Sequence, residues 1–107
     1  MDKLIKIVSL EDYQKAIQGK AILVFSATWC PDCTFMKSYI EEIVNENKDF
    51  VFYYVDRDEM TDLCIDLEIM GIPSFVAYED GKETGRFVSK LRKTKAEVKK
   101  FIDDLSK

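Results

Sequence analysis

The stretch Ala21-Ile22-Leu23-Val24-Phe25-Ser26-Ala27-Thr28-Trp29-Cys30-Pro31-Asp32-Cys33 decides how the rest of the chain reads. Its first half is almost continuously apolar, as a strand buried on both faces should be. Its second half sets two cysteines two residues apart where a helix should start. Proline suits the first helical position, because the N–H it lacks would have been unpaired there anyway. Phe35, Met36, Tyr39, Ile40, Ile43 and Val44 then recur at helical spacing and predict one amphipathic helix from near Pro31 to near Asn47. In that frame Cys30 stands at the N-cap, where its sulfur can accept the N–H of Cys33. The unpaired N–H groups and positive end of the helix favour a thiolate there. Cys33, a turn further in, is more shielded. One exposed, activated sulfur beside one shielded sulfur gives a division of labour in which Cys30 attacks and Cys33 resolves. Asp32 opposes the thiolate. At about 7 Å in water-like dielectric its repulsion is about 0.6 kcal/mol, smaller than the lowering expected of such motifs. The chain has no histidine, so Lys37 is the nearest candidate cation in sequence.

Working outward, Leu4 to Val8 reads as a weak first strand. Ser9 and Asp12 resemble a capping box with Asp in place of Glu, followed by Leu10, Tyr13 and Ile17 at helical spacing and a stop at Gly19. The first buried strand runs from Ala21 to Ala27. Phe50 to Val55 predicts another fully apolar strand, Thr61 to Leu67 a short helix, and Ser74 to Tyr78 a strand. Glu79-Asp80-Gly81-Lys82 carries the Asp-Gly hairpin signal, with Glu83 to Val88 as the antiparallel partner. Val98, Phe101, Ile102 and Leu105 form one stripe on a final helix. The expected order is β-α-β-α-β-α-β-β-α: an α/β fold whose mixed sheet of about five strands is flanked by about four helices.

The chain has 107 residues, so the whole of 1–107 is expected to form a single domain. A domain of this size buries roughly 65% of its unfolded surface, and a chain that is 47% hydrophobic can build a core without a metal or a disulfide. The net charge of −4 argues against nucleic acid as a partner. The basic residues Lys90, Arg92, Lys93, Lys95, Lys99 and Lys100 read as a solvated face of the last helix, with a docking patch as the alternative. No signal peptide or membrane span is apparent. Three cysteines are too few for a secreted disulfide framework. A reducing cytoplasm is therefore expected, where a Cys-x-x-Cys is catalytic or metal-binding rather than structural. Zinc would need four donors, which Cys30, Cys33 and Cys64 do not supply, so no metal or other cofactor is expected. Cys64 reads as a buried structural thiol, with a regulatory thiol as the alternative. Met36, Met60 and Met70 read as core or rim packing, although Met70 could touch substrate. Asp56, Asp58, Glu59, Asp62, Asp66 and Glu68 read as a solvated acidic face.

Trp29-Cys30-Pro31-Asp32-Cys33 together with Gly71-Ile72-Pro73-Ser74 resembles the Trp-Cys-x-x-Cys and Ile-Pro-Thr signatures of the thioredoxin family, and the element order fits from Leu4 to Leu105. The resemblance implies a thioredoxin fold and a redox disulfide between Cys30 and Cys33. It implies a cis Ile72-Pro73 bond facing the dithiol and a Pro73 that keeps metals off the thiols. Trp29, Pro31, Asp32 and Pro73 would support the active site. Trp29, Met70, Gly71, Ile72 and Pro73 would meet substrate, the backbone before Pro73 pairing with an incoming strand. It further implies disulfide-containing protein substrates and an electron-donating reductase such as a thioredoxin reductase, with the chain acting as a monomer.

The chain departs from the family at three points. Most thioredoxins carry a buried aspartate where this chain has Val24 and a lysine near it where this chain has Phe52. Pro31-Asp32 replaces the usual Gly-Pro. Cys33 then lacks the familiar proton acceptor, and slower resolution of mixed disulfides is expected. The leading reading is a reductant of protein disulfides. A glutaredoxin-like reductase is a second, suggested by Cys-Pro-x-Cys, but the glycine pair and acidic residue that bind glutathione are not seen after Pro73. A disulfide-forming oxidant would need a helical insertion for which the residues between Asp56 and Ile72 are too few. From a different class, a thioredoxin-fold binding module with a weakly active dithiol is conceivable.

Overall fold

The computed structural model describes residues 3–105. It has five strands and five helices: β1 (Ile5–Lys6), α1 (Leu10–Ala16), β2 (Ala21–Ser26), α2 (Pro31–Lys37), α3 (Ile40–Glu46), β3 (Val51–Asp56), α4 (Thr61–Asp66), β4 (Ser74–Glu79), β5 (Lys82–Phe87) and α5 (Lys95–Asp104). The strands form one mixed sheet in the order β1-β3-β2-β4-β5. β2 lies parallel to β3 and antiparallel to β4.

All six residues of β2 are buried, because helices cover both faces of the sheet. Side chains alternate across a strand. Accordingly, Ala21, Leu23 and Phe25 join one apolar layer with Ala16 of α1 and Leu63 and Cys64 of α4. Ile22 and Val24 join the other with Met36, Ile40 and Ile43 of α2 and α3 and Val98 and Ile102 of α5. The predicted final-helix stripe is thus part of the second layer. At the hairpin both Asp80 and Gly81 have positive φ, 54° and 84°, as a primed turn with Asp-Gly requires.

Five expectations differ from the structure. The long helix after the dithiol is two. The Ser38 hydroxyl donates back to the Phe35 carbonyl at 2.6 Å, and Ser38 and Tyr39 close tight turns on Phe35 and Met36. The Tyr39 hydroxyl is also drawn off to the Lys93 carbonyl at 2.7 Å. Hydroxyl back-bonding of this kind bends helices. The first helix stops at an Ile17 cap, ahead of Gly19. The first strand is only Ile5–Lys6, both exposed, and so β3, next to it, is only partly covered. Val51 is exposed and Tyr53 and Tyr54 are half-buried, so β3 is not fully apolar in its surroundings. Finally, Asp56 is buried rather than solvated, 7% exposed, because its carboxylate accepts the N–H groups of Asp58 (2.8 Å) and Glu59 (3.3 Å) and shapes the turn after β3.

Candidate active site

The sheet register builds the site. In the antiparallel pairing of β2 and β4, Phe25 faces Ser74. The chain leaving β2 therefore lies next to the chain entering β4, and the Cys30–Cys33 segment meets Ile72-Pro73. The Ile72-Pro73 bond is cis. The Ser74 hydroxyl donates to the Gly71 carbonyl at 2.5 Å and secures the turn from within.

Cys30 is the N-cap of α2, with extended backbone, and its sulfur accepts the Cys33 N–H at 3.2 Å. Its Sγ–H in turn donates to the Ile72 carbonyl at 3.8 Å. Cys30 is 6% exposed and Cys33 not at all. The expected order of access holds, but Cys30 is far less open than the sequence suggested, because the Ile72 carbonyl closes over it. Trp29, 61% exposed, donates its Nε1–H to Asp58 at 2.7 Å. Met70, next to Gly71 in the chain, is 68% exposed. Met36, by contrast, is core.

The charges around the dithiol are not those the sequence suggested. Lys37 is exposed. Arg92 instead pairs with Asp32 at 2.9 Å and lies 4.5 Å from the Phe35 ring centroid, which offsets the anion that would repel a thiolate. Lys93 is fully buried. Neither residue belongs to the last helix. The capping box of Thr94 and Glu97 starts α5 after them. That Thr-x-x-Glu signal is legible in the sequence and would have set residues 90–93 apart. A further residue missed by the sequence reading is Ser26. Its hydroxyl is buried without a conventional hydrogen bond, and it faces the Cys33 thiol and favours its thiolate.

Burial, reinforced by Cys30, pushes the Cys33 thiol from 9.0 up to about 11. Burial likewise pushes Cys64 up to about 11. Both thiols hold their protons more tightly folded than unfolded. Their contribution to stability is therefore full below pH 9 and is lost as pH rises toward 11, at no more than about 1.4 kcal/mol per thiol per pH unit. The melting temperature of the reduced protein should fall steadily across that window; a flat profile would contradict this burial. Among the described residues no group of three or more His, Cys, Asp or Glu side chains is arranged to hold a metal ion.

This geometry can be set against known proteins. The thioredoxin family model matches residues 4–104. The chain belongs to the thioredoxin family. It is 36% identical to the thioredoxin of Mus musculus over 91 residues, covering 81% of this chain and 85% of that one. It is 33% identical to thioredoxin-2 of Dictyostelium discoideum over 88 residues, covering 81% of this chain and all of that one. Among solved structures, oxidised mitochondrial thioredoxin 3 of Saccharomyces cerevisiae superposes with a TM-score of 0.81 at 26% identity, covering 95% and 96% of the two chains. The protein is a thiol-disulfide oxidoreductase with a thioredoxin fold, and thioredoxins act on disulfide substrates. No helix among the described residues is long and apolar enough to cross a membrane.

Proposed function

We propose that this thioredoxin-family enzyme reduces disulfides of protein substrates in a reducing cytoplasm, with Cys30 as nucleophile and Cys33 as resolving thiol. The observation that carries the assignment is the asymmetry of the pair. Cys30 sits at the mouth with the Cys33 N–H directed at its sulfur, while Cys33 is sealed beneath it. The Cys30 thiolate attacks a substrate sulfur, and the substrate's second sulfur leaves as a thiolate and takes up a proton. Cys33 then gives up its proton and attacks Cys30. Its sulfur bonds to the Cys30 sulfur, the bond to substrate breaks, and the electron pair leaves with the substrate thiolate. Substrate gains two electrons and Cys30–Cys33 is left as a disulfide. A reductase of the thioredoxin-reductase type returns the electrons. Trp29, Met70, Gly71, Ile72 and Pro73 form the docking rim. Pro31 and Asp32 shape the helix start, and the enzyme works as a monomer without cofactor, metal, nucleic acid or membrane.

The direction of electron flow is measurable, because the only tryptophan, Trp29, adjoins the dithiol. Its emission, followed while the protein equilibrates in defined thiol buffers, gives the reduction potential. A reductant should lie below about −200 mV, near the thioredoxin value of about −270 mV. A potential above about −180 mV, in the range of disulfide-forming enzymes, would overturn the reductive assignment.

A further inference from the structure

A groove opens beside the Gly71-Ile72-Pro73 turn, between α4 and the segment joining β5 to α5. It encloses about 440 Å³, and Arg57, Cys64, Ile65, Glu68, Met70 and Lys90 are among its lining residues. Two close approaches fix its place relative to the dithiol. The Ile72 carbonyl lies 3.8 Å from the Cys30 sulfur. One residue back along the chain, Gly71 sits so close to the opposite segment that a Cβ on it would lie 2.7 Å from the Lys90 Cα. Met70 comes next and is exposed within the groove. The groove therefore continues the surface that a substrate meets at Cys30. An extended chain advances about 3.3 Å per residue, so a peptide whose cysteine is bonded to Cys30 reaches Met70 within about three residues.

Ile65 and Met70 give the groove exposed apolar surface, and Arg57 and Lys90 give it charge. Both cations are exposed, and among the described residues neither is in an ion pair. Arg92, on the same segment as Lys90, is by contrast already held by Asp32. Glu68, the anion of the lining, is offset by Arg86, whose guanidinium donates to the adjacent Leu67 carbonyl at 3.0 Å and responds to the Glu68 charge. The other side of α4 is the reverse. There a second groove is lined by Leu10, Glu59, Asp62 and Asp66. The helix thus separates an acidic groove from a cationic one, and the cationic one adjoins Met70.

We propose that this groove selects acidic substrates: a strand with aspartate or glutamate about two to four residues from its disulfide cysteine lies over Ile65 and Met70, and its carboxylates meet Arg57 and Lys90. The inference rests on the roles assigned to Cys30 and Cys33 and adds the class of substrate on which they act. Arg57 and Lys90 take no part in the sulfur exchange; they hold the strand beside it. The acidic groove across α4 repels the same strand, which sets the side of Cys30 on which it lies. The chain as a whole carries a charge of −4, so the preference comes from contacts within the groove and not from long-range attraction.

Two cysteine peptides test this, each joined through its cysteine to a chromogenic aryl thiol and alike except that glutamates flank the cysteine in one and glutamines in the other. Cys30 attacks the peptide sulfur, the aryl thiolate leaves with the electron pair, and Cys33 then displaces the peptide thiolate. With reduced protein in excess, aryl thiolate release gives the rate constant of attack, which is divided by that of dithiothreitol on the same peptide. Exposed ion pairs are individually weak, so in about 20 mM salt the glutamate peptide should react about fivefold faster than the glutamine peptide. In about 0.5 M salt the two should converge. Arg57→Gln/Lys90→Gln should abolish the preference at low salt, and Arg57→Lys/Lys90→Arg should keep it. Lys48→Gln/Lys82→Gln removes the same charge at the opposite end of the sheet and should keep it too. Equal rates for the two peptides with the wild-type protein would overturn the inference and leave the cysteine roles intact. So would a preference that the Lys48 and Lys82 changes remove as fully, or an equal slowing of both peptides by Arg57→Gln/Lys90→Gln, the mark of structural cations. A dimer of the reduced protein in sedimentation that Arg57→Gln/Lys90→Gln dissociates would assign the groove to a second copy, and overturn it likewise. Failure of the wild-type protein to release aryl thiolate from either peptide would refute the roles of the cysteines, and the inference with them.

Discussion

Cys33→Ser will attack a protein disulfide once and stay attached to it. The variant keeps the Cys30 sulfur and the Cys33 N–H that supports it, because that N–H belongs to the backbone. What it loses is the second sulfur, buried directly behind the first. The mixed disulfide then has no intramolecular exit, and only an external thiol can release it. Steady-state reduction of insulin or a model disulfide should fall by about a thousandfold or more, and nonreducing electrophoresis should show stable adducts through Cys30. Cys30→Ser should lose turnover to the same extent without forming adducts, since a serine hydroxyl at this site has no base to activate it. Its remaining thiol is sealed, with its proton held up to about pH 11. Appreciable turnover by Cys30→Ser would mean that the roles are reversed. Cys64→Ser is the control. Cys64 is buried on α4 and takes no part in the exchange, so turnover should persist.

Gly71→Ala should be the most damaging single-methyl change in the molecule. A Cβ placed on Gly71 would lie 2.2 Å from the Ser89 carbonyl oxygen, 2.5 Å from its carbon and 2.7 Å from the Lys90 Cα. These are backbone atoms, so no side-chain rotation relieves the clash. Either the turn before Pro73 or the β5–α5 segment must move. Overpacking of this kind costs about 3 kcal/mol. For a domain of this size that corresponds to a melting temperature lowered by about 10–20 °C. The damage should extend to activity. A moved turn carries the Ile72 carbonyl away from Cys30, and a moved β5–α5 segment carries Arg92 from Asp32. Gly19→Ala is the matched comparison: a Cβ there meets nothing within 4 Å, and the substitution should be neutral or slightly stabilising. Equal melting temperatures for the two variants would show that the Gly71 contact is slack.

The contrast between these glycines marks what local reading reaches. The pattern after Cys33 showed an amphipathic helix correctly, but the break at Ser38–Tyr39 depends partly on a hydroxyl bonded to the Lys93 carbonyl far along the chain. Asp56 looked like one acidic residue among six; its burial follows from the turn it caps. The cations of residues 90–93 read as solvent-facing because their neighbours in sequence are charged. Only packing against α2 and β5 separates Arg92, which reaches out to Asp32, from Lys93, which is enclosed against Phe87. The Thr94–Glu97 cap was the one local signal that would have detached them from α5.

By itself the amino-acid sequence determined the alternation of strands and helices, the hairpin at Asp80-Gly81 and the dithiol at a helix start. Each of these follows from the period of apolar residues, from backbone freedom or from capping, all of which act over a few neighbouring residues. Tertiary structure alone decided that Phe25 would pair with Ser74 and so bring Ile72 over Cys30. It also decided that Asp32 would find Arg92, and that a lysine would be buried against Phe87. Whether a charge is solvated, paired or enclosed depends on which surfaces close around it, and those surfaces come from segments distant in the chain.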